Sequence, residues 1–154
     1  MYKEIDSFFL IPSFTSNSQN FDKKINELSS NYESDIIELR HWFHENAELS
    51  NREFKTAERI AAELKKIGLN PQTGVAKTGV VAVLKGGKPG PVVALRADID
   101  GLPVKERSDL PWASKMIGEY NGEEVPVMHA CGHCAHMAML LGAAILLQTE
   151  APPG

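Results

Sequence analysis

The sequence predicts an α/β protein in which helices pack on a mixed sheet. Three observations carry that reading. Two amphipathic stripes of helical period fill the first half of the chain, two apolar β-rich runs follow them, and a long apolar segment rich in small residues comes last. At 154 residues, 43% hydrophobic and 23% charged, the chain has the composition of a globular protein and the length of about one domain.

Residues 1–20 read as a tail or a weak signal-like segment. Phe8-Phe9-Leu10-Ile11 ahead of Ser16-Asn17-Ser18 has the form of the end of a secretory signal, whereas Glu4 and Asp6 are wrong for its leading region and the apolar core is short. That balance favours a cytoplasmic chain over an exported one. From Phe21 the apolar residues Phe21, Ile25, Leu28, Tyr32, Ile36, Leu39 and Phe43 recur at spacings of three and four, which predicts a helix over residues 22–46. Ser50-Asn51-Arg52-Glu53 has the form of a capping box, with the Ser50 hydroxyl and the Glu53 carboxylate each serving the other's backbone amide. A second helix is expected there, with Phe54, Ala57, Ile60, Ala61, Leu64 and Ile67 inward and Gly68 with Pro71 as its stop.

The runs 79–84 and 91–96 follow, joined by a Gly- and Pro-rich connection at 86–90, and they predict a hairpin. Their near-continuous apolar character implies that both faces are covered. The polar stretch after Asp98, which contains Pro103, Pro111 and Pro126, reads as loop with at most short elements. Residues 135–148 read as a buried helix whose Ala138, Gly142, Ala143 and Ala144 permit close packing, ended by Pro152 and Pro153.

A net charge of −4 with scattered Lys and Arg argues against nucleic acid or an anionic membrane as partner and leaves a small molecule as the expected ligand. No apolar run reaches the roughly 18 residues needed to cross a bilayer. The two cysteines lie three positions apart, so they staple nothing. A reduced, metal-bound or redox-active pair is the choice they leave.

Five of the seven Cys and His residues fall in one window, His129-Ala130-Cys131-Gly132-His133-Cys134-Ala135-His136. Thiolate and imidazole are strong ligands for zinc-like ions, so the window reads as a metal site. Cys131-Gly132-His133-Cys134 is also a dithiol motif at a helix start, which fits a redox module locally. A thioredoxin-like fold, however, needs most of its sheet downstream, and only 20 residues follow Cys134. A closed structural zinc site is the other rival. Its ligand pairs are usually separated by a loop, and donors this crowded hardly converge on one tetrahedron. Two or three ligands completed from elsewhere is the more economical geometry. For His129 and His136 an ordinary hydrogen-bonded histidine remains open. Asp98 and Asp100 stand where an apolar strand is expected to end, either capping a turn or accepting the free N–H of a ligating histidine.

Four motifs occur in order between Ile36 and Gln148. They are Leu39-Arg40-His41-Trp42-Phe43-His44 with Glu48-Leu49-Ser50 and Glu53; Lys77-Thr78-Gly79-Val80; the segment from Leu95 to Pro103; and Met128-His129-Ala130-Cys131-Gly132-His133 with His136. Together they resemble the amidohydrolase branch of the dinuclear-metal aminoacylase and carboxypeptidase superfamily, which includes hippurate, N-acyl-amino-acid and auxin-conjugate hydrolases. The resemblance implies a partial catalytic domain of an aminopeptidase-like fold over residues 21–154. It implies Cys131 and His133 as metal ligands, the Cys131 thiolate shared by two ions, and Asp98 behind them. It also implies two zinc, manganese or nickel-like ions per site and an N-acyl amino acid or amide conjugate as substrate.

Three departures matter, the second of them minor and the third decisive. Cys134 stands where the family has Asp, and Ala47 where it usually has Pro. The family's general-base glutamate, its remaining ligands and its dimerisation domain, which implies a homodimer, have no counterpart in these residues, so no catalytic residue is assignable. The expectation is amide hydrolysis by a longer enzyme and an inactive isolated chain, against the alternatives of a dithiol module or a non-catalytic metal-binding stub.

Overall fold

Three helices and two antiparallel hairpins make up the regular structure of residues 15–87 and 89–149, the part of the chain that the computed structural model describes. In order they are α1 (Thr15–Glu45), α2 (Phe54–Lys66), β1 (Gln72–Val75), β2 (Gly79–Val81), β3 (Met116–Tyr120), β4 (Glu123–Val127) and α3 (His133–Thr149). The α/β class is as the sequence predicts. Phe8 to Ile11 of the signal-like segment and the terminal prolines lie outside the described residues.

Helix α1 starts seven residues before the expected boundary, and only its second half is seated. Leu39 and Phe43 are buried, Leu28, Tyr32 and Ile36 are half-buried, and Ile25 is exposed. The stripe loses its cover toward the N-terminus because its main partner, α3, faces the C-terminal turns. Gly142 of α3 makes that approach close: a Cβ there would lie 3.1 Å from Ile36 Cδ1. Leu39, Phe43, Leu64, Cys134, Met137, Ala138 and Leu141 form the main core. Burial of α3 is one-sided, since Met139 and Leu147 face outward.

The expected capping box is not formed. Glu53 is the N-cap residue of α2 but makes no side-chain cap; its carboxylate is buried and accepts a hydrogen bond from Thr78 Oγ1 at 2.6 Å. Glu48 does the capping from farther back, taking the Lys55 amide at 3.2 Å, the Thr56 amide at 2.8 Å and the Thr56 hydroxyl at 2.9 Å. The carboxylate also sets negative charge against the positive end of the helix. Ala57, Ala61 and Leu64 face inward as expected, but Phe54 does not. At the other end Gly68, with φ +82°, donates to Lys65 O and Leu69 donates to Leu64 O, the paired bonds of a glycine-ended helix.

The hairpin expected between residues 79–84 and 91–96 is absent. Strand β2 pairs backward with β1, through a connection in which Ala76 and Lys77 take left-handed φ values of 49° and 89°. Residues 82–100 then run without a ladder among the described residues, and Val92, Val93 and Leu95 are 99, 77 and 58% exposed instead of covered on both faces. A hairpin that the sequence reading passed over, β3 with β4, turns at Asn121 (φ 54°) and Gly122 (φ 83°). Asn-Gly is the strongest short hairpin signal, because both turn positions need positive φ. Pro126 fits in β4 because, counted from this two-residue turn, it faces Ile117 at a position whose N–H points away from the ladder. Ala47, Leu49 and Val127 bury a second, smaller core beneath this hairpin.

Candidate functional site

Two isolated bridges bring the chemistry-bearing segments together. Leu49 bridges Gly101 in parallel and Leu102 bridges Met128 in antiparallel fashion, so the Asp98 to Leu102 segment is laced between the chain leading into α2 and the loop leaving β4. The loop then turns at Gly132, whose φ of +83° an L-side chain adopts only with strain, and its amide reaches His129 O. That turn leaves Cys131 exposed as a free thiol and points His133 back at Asp100.

His133 Nδ1 lies 2.9 Å from Asp100 O and 3.0 Å from Asp100 Oδ1. Both neighbours are acceptors, so Nδ1 carries the proton and Nε2 keeps its lone pair free, the tautomer that a histidine ligand needs. The carboxylate behind His133 is thus Asp100. Asp98, which the resemblance put behind the ligands, is exposed and takes Arg96 Nη2 at 2.9 Å and Nε at 3.1 Å. In an extended segment residues two apart share a side, so the guanidinium claims the nearer carboxylate. The Arg96 hydrogen bond and charge hold Asp98 below the usual carboxylate range, with smaller pulls from His133 and His136.

His129 is 4% exposed and neither ring nitrogen has a partner. Burial, reinforced by His44 and His133, pushes it down to about 4, with Asp100 pulling the other way, so it is neutral at pH 7. His136 is exposed and stands beside His133, their ring centroids 6.0 Å apart.

A second cluster escaped the sequence reading. His44 Nε2 donates to Glu106 Oε2 at 2.7 Å in a partly buried contact, while His44 Nδ1 faces the buried Cys134 Sγ at 3.5 Å. The His44 hydrogen bond holds Glu106 down to about 2. Burial pushes the Cys134 thiol up, against the lowering pull of the neighbouring Arg40 guanidinium. No local signal joins residues 44 and 106. A cleft of about 560 Å³ is lined by Arg52, Lys77, Asp100, Leu102 and Tyr120 among others.

Among the described residues no three His, Cys, Asp or Glu side chains stand close enough to hold one metal ion. Cys131 and His133 are a partial donor set: a free thiol and an imidazole with its inner nitrogen occupied. They do not complete a metal centre by themselves.

In this α/β fold a Cys/His turn at a helix start is thus laced to a segment that carries two Asp. Residues 94–153 match the model of peptidase family M20/M25/M40. Thermostable carboxypeptidase 2 of Saccharolobus solfataricus is 50% identical over 113 residues, which are 73% of this chain and 27% of that protein. The N-acyl-L-amino acid amidohydrolase of Geobacillus stearothermophilus is 42% identical over 122 residues, 79% of this chain and 31% of that one. A crystal structure of a dinuclear metal-binding M20 peptidase from Bacillus subtilis superposes with a TM-score of 0.70 at 38% identity, covering 79% of this chain and 32% of the other. Over these stretches the chain is similar to members of peptidase family M20/M25/M40. It spans between a quarter and a third of the length of these relatives.

Proposed function

We propose that this chain supplies part of the site of a metal-dependent amidohydrolase that cleaves the amide bond of N-acyl amino acids or related conjugates, within a longer polypeptide. The observation that carries the reading is the His133 pair with Asp100, which frees Nε2 two residues from the exposed Cys131 thiol. In this reading Cys131 and His133 are ligands to divalent ions, two per site, of zinc, manganese or nickel type. Asp100 orients His133, and Asp98 sets negative charge beside it. Bound ions would polarise the scissile carbonyl and activate water.

The relatives support the substrate class. A carboxypeptidase and an N-acyl amino acid amidohydrolase both release an amino acid from an amide. A homodimer of the longer polypeptide remains part of the proposal. The 154-residue chain alone is inactive in this reading, because its described residues hold no completed ion site.

The test is release of amino acid from N-acetyl and N-benzoyl amino acids under zinc, manganese, nickel and cobalt. The expected result is none from the 154-residue chain, and metal-dependent release, lost in Cys131→Ser, from a polypeptide extending it to the relatives' length. Release by the short chain, or an extended enzyme indifferent to Cys131→Ser, contradicts the reading.

A further inference from the structure

The Cys134, His44 and Glu106 cluster has no part in the proposed hydrolysis, and its order is that of a nucleophile, its base and the group that orients the base. Glu106 accepts the Nε2–H of His44 at 2.7 Å. That fixes the proton on Nε2 and leaves Nδ1 as a bare lone pair, and the atom in front of it is Cys134 Sγ at 3.5 Å. Yet Cys134 is 2% exposed, so no substrate from solution reaches it. The other sulfur of the chain is the exposed Cys131, three residues back across the Gly132 turn, in Cys-x-x-Cys spacing.

We infer that Cys131 and Cys134 form a reversible disulfide, in which exposed Cys131 meets a low-molecular-weight disulfide such as oxidised glutathione and buried Cys134, with His44 as its base, resolves the adduct. In the first step the Cys131 thiolate attacks oxidised glutathione, forming a mixed disulfide and releasing one glutathione thiolate. In the second, Cys134 gives its proton to His44 Nδ1 and its sulfur attacks Cys131 Sγ. The Cys131–glutathione bond breaks, and the departing thiolate takes the proton from His44. Two protein thiols are oxidised by two electrons, and one oxidised glutathione becomes two reduced. If Cys131 is a metal ligand, which rests on the proposed function, the disulfide removes it from the site and switches the site off.

The experiment equilibrates the 154-residue chain in glutathione buffers of rising oxidised fraction, quenches with a thiol-alkylating reagent and weighs the products. The expected product loses two hydrogens and carries no alkyl group or glutathione. Cys134→Ser should stop at a glutathione adduct on Cys131, Cys131→Ser should form neither, and His44→Gln should resolve the adduct at least tenfold more slowly. Two free thiols at every ratio, or a wild-type chain that stops at the same adduct as Cys134→Ser, overturns the inference. Cobalt uptake by the reduced chain is read separately. Disulfide formation without cobalt uptake sinks the metal reading and leaves the dithiol standing, and uptake without a disulfide does the reverse.

Discussion

Glu106 has one strong partner, His44 Nε2 at 2.7 Å, and the contact ties the segment before β3 to α1. The carboxyl ionises near its ordinary value of 4.5 in the unfolded chain and at about 2 in the fold. The folded state therefore binds fewer protons in that interval, so the contribution is full above pH 4.5 and is lost as pH falls from 4.5 to 2. Glu106→Gln should cost about 1–3 kcal/mol at pH 7 in urea unfolding, and the acid side of its stability profile should be flatter than the parent's. An unchanged profile would mean that the pair is not formed. Glu48 is the other residue whose role the structure reassigns. Glu48→Ala should destabilise by about 1 kcal/mol, whereas Ser50→Ala should change stability by less than about 0.5 kcal/mol; the reverse order would restore the capping box. Cys131 and His133 were legible as candidates because they are two positions apart in sequence and chemically unusual. The pairings His44 with Glu106 and His133 with Asp100 were not, since they depend on which segments the two bridges bring together.

At the scale of elements, the exposed run around Val92 and Val93 is the part of the fold with the least support. An extended apolar segment without a ladder is a template for pairing with another strand. Val93→Lys should lower light scattering by the concentrated chain and shift its unfolding midpoint by less than about 0.5 kcal/mol. A variant that unfolds instead would show that Val93 is buried in solution. Helices α1, α2 and α3 were legible because period and end signals agree over many residues, as at Leu39, Phe43 and Gly68. The strands were less so. Residues 79–81 found their partner before them and not after, because the left-handed Ala76 and Lys77 permit a return that no Gly or Pro announces. The β3 and β4 hairpin was announced by Asn121-Gly122, but three prolines nearby suggested loop.

For the whole molecule, the family and the α/β class were legible because four motifs occur in the right order, and the comparisons agree with both. The completeness of the metal site was not a matter of pattern; it depends on how many donors the fold brings to one point, and the described residues bring two candidates and no cluster of three. The central claim is that this chain carries part of a metal site, built on Cys131 and His133. Its most direct test is cobalt(II) titration of the reduced chain, followed by the thiolate-to-cobalt absorption band. The account predicts a weak band that is lost in Cys131→Ser, diminished in His133→Asn and retained in Cys134→Ser. A band that survives Cys131→Ser, or no band at any cobalt concentration, would contradict it.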